Sequence, residues 1–162
     1  MKTLKTNKSM SRLLNDINMN EMNVLSVEMA KLNELLNPGF VSIQDCILIS
    51  KKTSQELFKS FDTAVKLHTN RTRYEASNTD TRVNDFFDND ISEQEALAIG
   101  LLVIDIWGLR LKEIDPISKF FLIIACSDGY VTLRYHKVRA DECNWLDEDI
   151  HSYEDAVGYI II

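Results

Sequence analysis

Phe-Phe-Leu-Ile-Ile-Ala-Cys-Ser-Asp-Gly-Tyr-Val-Thr-Leu-Arg-Tyr-His-Lys-Val, residues 120–138, is the stretch on which the fold turns. Residues 120–125 form a nearly continuous apolar run, the pattern of a buried strand. Ser127-Asp128-Gly129 supplies a tight turn with the glycine that positive φ favours. The return segment sets Val131, Leu133 and Tyr135 on one face against Thr132, Arg134 and His136 on the other. An antiparallel hairpin follows.

N-terminal to the hairpin, Ser92 and Glu95 stand at capping-box spacing, with Ile91 placed to staple onto Ala96. From Ala96 to Ile114 nearly every face is apolar, so this helix is expected at the centre of the molecule until Asp115-Pro116 ends it. Asp105 interrupts the apolar helix and has two readings. It is either a carboxylate with a shifted pKa at a functional site, or it lies on a narrow solvent face or pairs with a base such as Arg134. Trp107 reads as helix packing. C-terminal to the hairpin, residues 147–155 suggest a short acidic helix, and the β-branched, aromatic ending Gly158-Tyr159-Ile160-Ile161-Ile162 suggests a strand that must pair.

The first half is less regular. Residues 1–9 read as a flexible polar tail. Met10, Leu13, Leu14 and Ile17, then Met22, Leu25, Met29, Leu32, Leu35 and Leu36, recur at helical spacing up to Asn37-Pro38-Gly39. Residues 40–50 fit either a strand or a helical turn. Thr53 and Glu56 have capping-box spacing ahead of Leu57, Phe58, Phe61, Val65 and Leu67. Residues 69–82 lack an apolar period and read as a long exposed loop, cationic through Arg71, Arg73 and Arg82, and a boundary if two subdomains exist. The expected fold is α+β: a single domain over 10–162 with N-terminal helices packed on an antiparallel sheet around a central apolar helix. The alternative is a mixed sheet with another strand from Phe40–Ile49.

The chain has 162 residues, 18 basic and 25 acidic, for a net charge of −7. Residues 1–81 carry 11 Lys/Arg and 9 Asp/Glu, whereas residues 82–162 carry 7 and 16, a split of +2 against −9. An anionic second half repels phosphate backbones and anionic lipid, which argues against direct nucleic-acid or membrane binding and favours a cationic partner. Cys46, Cys126 and Cys143 are odd in number and widely spaced, so they read as thiols in a reducing compartment. With no secretory signal pattern and no apolar run long enough to span a bilayer, the cytosol is the expected location.

No phosphate-binding glycine motif is present, and neither a cofactor nor a metal is expected. His136 and His151 with Cys143 or Asp149 would make zinc ligands on paper, without any short ligand spacing. Arg134, His136 and Arg139 beside Tyr130 permit a phosphoester- or RNA-directed hydrolase, the histidine moving protons and the arginines holding phosphate. The bland reading is a polar sheet face with paired arginines. Residues 141–155 hold seven carboxylates, Asp141, Glu142, Asp147, Glu148, Asp149, Glu154 and Asp155, with no Lys or Arg and with Trp145 and Tyr153 among them. Such a tract suits a surface complementary to a cationic protein, with the aromatics as anchors, or else a merely solvated face.

Residues 130–139, Trp145-Leu146 and Ser152-Tyr153-Glu154-Asp155-Ala156-Val157-Gly158-Tyr159 resemble the C-terminal part of small bacterial immunity proteins of contact-dependent growth inhibition and related polymorphic toxin loci. The resemblance spans the last 70 or so residues, from Ser92 onward. It implies a cytosolic protein, without enzymatic activity, that binds and neutralises one cognate toxin C-terminal domain, often a nuclease. No functional residue carries over from it, because such specificity surfaces diverge between pairs. An enzyme using Arg134 and His136, or an adaptor protein, are the alternatives.

Overall fold

The computed structural model describes residues 3–17, 29–50, 60–87, 91–147 and 149–162. In chain order the elements are β1 (Lys5–Thr6), α1 (Lys8–Asp16), α2 (Met29–Leu36), β2 (Phe40–Ile43), β3 (Cys46–Ile49), α3 (Phe61–Leu67), α4 (Arg71–Asn78), β4 (Thr81–Arg82), α5 (Glu93–Ile114), β5 (Phe120–Ser127), β6 (Tyr130–Lys137) and β7 (Ala156–Ile161). One-turn 3₁₀ helices sit at Val83–Phe86 and Ile150–Ser152. The fold is α+β, as the sequence implies.

The main sheet is antiparallel throughout, in the order β1-β7-β5-β6-β4. The β5–β6 hairpin closes through Asp128 (φ 52°) and Gly129 (φ 79°), two successive positive-φ residues that match the strand twist. Phe120, Leu122, Ile124 and Cys126 pack with Val131, Leu133 and Tyr135 in the main core, which includes Leu97, Val103, Ile104, Trp107 and Leu111 of α5. Phe121 and Ile123 point the other way, against Leu146, Ile150 and Val157. Period-two alternation therefore gives β5 two buried faces, which is why its sequence is apolar without interruption.

The Ser92–Glu95 capping box starts α5, with Ser92 and Glu95 each accepting the other's backbone N–H. Helix and sheet approach closely at Gly100, where a Cβ would lie 3.0 Å from Ile124 Cδ1 and 3.1 Å from Val131 Cγ1. Trp107 is fully buried, donates Nε1–H to the Leu35 carbonyl at 3.0 Å, and meets Phe40 and Tyr135 edge to face. Asp105 is exposed and Arg134 pairs with Asp80 at 2.7 Å instead, so the solvent-face reading of Asp105 holds and its pairing with Arg134 does not.

Four expectations need correction. Residues 5–9 are not a flexible tail: Lys5 and Thr6 pair with Tyr159 and Gly158, and buried Asn7 caps α1 by accepting from Met10 N–H while also accepting from Val157 N–H. Residues 69–82 are not an exposed loop but contain α4, with Thr72, Tyr74, Glu75 and Ala76 buried. Residues 40–50 form a separate β2–β3 sheet, turning at Gln44 (φ 51°), rather than a strand of the main sheet. Among the described residues of the acidic segment, helix is confined to Ile150–Ser152. The Thr53–Glu56 cap, Leu57, Phe58, Met22 and Leu25 lie outside the described residues.

Candidate functional site

The α4 helix joins the two sheets through side chains rather than through apolar packing alone. Glu75 accepts from the backbone N–H of Ile47 in β3 and of Lys137 in β6, both at 2.7 Å. Asn78 accepts from Ile49 N–H at 2.8 Å, and Thr79 both accepts from Tyr135 N–H and donates to its carbonyl. Further along β6, β4 pairs with Thr132 and Leu133, and Asn84 accepts from Val131 N–H. An edge strand that would otherwise present open ladder positions is thus occupied along its length.

A network of charge surrounds this junction. Arg139 donates Nη1–H to Glu75 (2.9 Å), Nε–H to Asp45 (2.9 Å) and Nη2–H to the Asp45 carbonyl (2.6 Å). Lys137 reaches Asp45 at 3.1 Å and Asp115 at 3.0 Å. Burial alone would lower the Lys137 pKa, and its bonds to Asp115 and Asp45 hold it above the ordinary value. Arg71 bonds Glu142 (2.8 Å) and Asp141 (2.6 Å) and approaches Asp45 at 3.4 Å.

Here the sequence reading of the acidic tract divides. Asp141 and Glu142 do have a counter-charge, contributed by Arg71 from 70 residues upstream. Glu142 also accepts Thr72 N–H at 2.7 Å at the start of α4, where a carboxylate satisfies otherwise orphaned donors. Burial would raise this carboxyl, but the Arg71 and Thr72 bonds bring it down to about 2. Trp145 is likewise occupied within the chain, its ring 5.7 Å from the Arg73 guanidinium and 5.1 Å from that of Arg134.

The remaining tract residues form a loop laid over the outer face of the sheet. Asp147 N–H donates to the Tyr153 hydroxyl at 3.0 Å, which donates back to Asp147 Oδ2 at 3.2 Å. Asp149 accepts His151 N–H and caps the 3₁₀ turn. The Asp155 carbonyl accepts from Asn7 Nδ2 at 2.7 Å, fixing the loop to the N-terminus while the side chains of Glu154 and Asp155 stay exposed. Asp147, Asp149, Glu154 and Asp155 therefore face solvent on one loop, and Glu148 lies outside the described residues.

Between the 138–147 segment and the outer sheet face runs a groove of 530 Å³ lined by Phe121, Tyr159 and Ile161 on the sheet side and by Val138 and Leu146 on the other. Phe121 stacks on Tyr159 at 4.4 Å and on His136 at 5.1 Å, and Lys5 lies 5.6 Å over Tyr159, giving a ladder across four strands. This groove gave no local sequence signal, because its residues come from three separated segments.

His136 is fully buried. Its Nε2 accepts Trp145 N–H at 3.2 Å and its Nδ1 lies 3.0 Å from the Lys137 carbonyl, which assigns the proton to Nδ1. Burial lowers its pKa to about 4. Both nitrogens are engaged, Nε2 with Trp145 and Nδ1 with the neighbouring Lys137 carbonyl, a poor arrangement for proton exchange with a substrate. Among the described residues no three of His, Cys, Asp and Glu are grouped to hold a metal, and no helix is long and apolar enough to cross a membrane. Cys46 and Cys126 are buried free thiols and Cys143 an exposed one.

No curated protein and no solved structure matches the chain. A family model matches residues 5–161, so the chain belongs to the family described as the Uncharacterized protein PM0498 family.

Proposed function

We propose that this chain is a cytosolic immunity protein that binds and neutralises a cationic toxin domain, such as a basic nuclease, through the loop over residues 147–155. The carrying observation is that Asp147, Asp149, Glu154 and Asp155 face solvent on a segment with no Lys or Arg. The resemblance of residues 130–159 to immunity proteins supports the same reading. Asp141, Glu142 and Trp145 act indirectly in it, by anchoring the loop to α4 and β6. The bonding of His136 weighs against the hydrolase alternative.

The test begins with the gene immediately upstream, expected to encode a large secreted protein, and uses the C-terminal domain of its product. Its association should be fast at low salt and slow steeply as salt rises, because complementary charge acts mainly on encounter. A variant carrying Asp147→Asn, Asp149→Asn, Glu154→Gln and Asp155→Asn keeps the Asp149 cap, since asparagine also caps, and should associate about tenfold more slowly. Failure to bind, or salt-insensitive binding unchanged in the folded variant, overturns the proposal.

A further inference from the structure

We infer that the solvent face of α5 is a self-association surface, on which a second copy of this chain packs its own α5 in parallel; the inference stands apart from the immunity reading. A helix that is apolar all round is ordinarily buried all round. In α5, Gly100 and Gly108 abut the side chains of β5, whereas Leu102 and Leu109 on the opposite side are 56% and 63% exposed. Half-buried Ile99 and Ile106 complete a row with them, spaced three, four and three residues apart. That is a coiled-coil seam with isoleucine at both a and leucine at both d positions, the combination that favours two parallel strands.

The flanks of the seam agree. Asp105 falls at g and Arg110 at the following e, the spacing at which a parallel pair sets each copy's carboxylate beside the other's guanidinium. Asp105 is exposed and pairs with no cation among the described residues. Arg110 donates Nη1–H to Glu113 at 2.9 Å and keeps Nε and Nη2 for a further acceptor. Glu113, at the next a position, ends the seam with its charge answered by that bond. An antiparallel pair would instead bring g beside g, Asp105 by Asp105, with no base between them. The 147–155 loop lies over the outer sheet face, away from α5, so pairing leaves it free on each copy.

Sedimentation equilibrium of the full chain should show monomer and dimer exchanging with a dissociation constant on the order of 10 μM, since so short a seam makes a small interface. Leu102→Glu with Leu109→Glu should weaken the dimer more than about tenfold, because the seam would then bury carboxylates. The thermal midpoint of the dilute protein should stay unchanged, as both side chains already meet solvent. Asp105→Arg and Arg110→Asp should each weaken self-association about tenfold, because each sets like charges across both flanks. An equimolar mixture of these two variants should pair to within about threefold of the parent, because every flank is then matched. A parent chain still monomeric at about 300 μM, or a dimer unmoved by the leucine changes, overturns the inference. A mixture no tighter than either charge variant alone overturns it as well. The charge variants lie on the surface and decide the matter even where the leucine variant fails to fold.

Discussion

Glu75 on α4 and Arg139 just beyond β6 meet at 2.9 Å with both side chains withdrawn from solvent, at the point where the two sheets are joined. The carboxylate also satisfies one N–H from each sheet, so a single side chain sets the spacing between β3 and β6. Asp45, Lys137, Arg71 and Glu142 complete the ring of charge around it.

Glu75→Gln keeps the size of the side chain but removes the charge facing Arg139, and breaking one side of a buried pair costs about 3–5 kcal/mol. Chemical denaturation should show a loss of that order. Arg139→Met should cost a comparable amount, since it also gives up the bonds to Asp45, and because both changes act on one buried pair the double variant should cost less than the sum of the two. If both single variants lie within about 1 kcal/mol of the parent, the junction is not held in this way.

His136 gives the protein a defined acid sensitivity. Its pKa falls from 6.5 to about 4 on folding because burial disfavours the imidazolium. A depressed pKa contributes stability that is complete above 6.5 and lost as pH falls towards 4, since only the unfolded state takes up the proton in that window. The loss is on the order of 3 kcal/mol by linkage. His136→Phe should be less stable at pH 7, because Trp145 N–H loses its acceptor, yet should show a flatter stability profile between pH 6.5 and 4. Equal slopes in the two proteins would contradict the assignment.

The close approach at Gly100 sets two effects against each other. Alanine is favoured over glycine within a helix by about 1 kcal/mol. Its Cβ would meet Ile124, Val131 and Leu133 at 3.0, 3.1 and 3.4 Å, and overpacking of that kind costs about 1–3 kcal/mol. Gly100→Ala should therefore lower the thermal midpoint, and a rise would show that the sheet yields without strain.

The parts of the fold legible in the sequence are those whose signals are local. Asp128-Gly129 between apolar runs marks the hairpin, and Ser92 with Glu95 marks the start of α5. The α4 helix is illegible because its buried positions mix Tyr74 and Ala76 with Thr72, Glu75 and the capping Thr79, the last three held by hydrogen bonds, so no apolar period stands out. Its one available cue was Asn70, which accepts from Arg73 N–H as an N-cap. The acidic tract was legible as composition, but its division was not, since the partner of Asp141 and Glu142 lies on a helix that the sequence does not announce.

Tyr135 carries a final prediction. Its ring is fully buried between Phe40 and Trp107, at 5.7 and 5.9 Å, and its hydroxyl has no hydrogen-bond partner among the described residues. Burial raises the phenol well above its ordinary pKa, so the group stays neutral and does no acid–base work at physiological pH. An unsatisfied buried hydroxyl costs about 1–3 kcal/mol relative to water, whereas the ring's edge-to-face contacts survive its removal. Tyr135→Phe should accordingly be neutral or stabilising by up to about 1 kcal/mol, a sign opposite to the usual result of changing a fully buried residue. Tyr135→Leu, which removes the ring as well, should be destabilising. A loss of more than about 1 kcal/mol in the phenylalanine variant would reveal a partner for the hydroxyl inside the core.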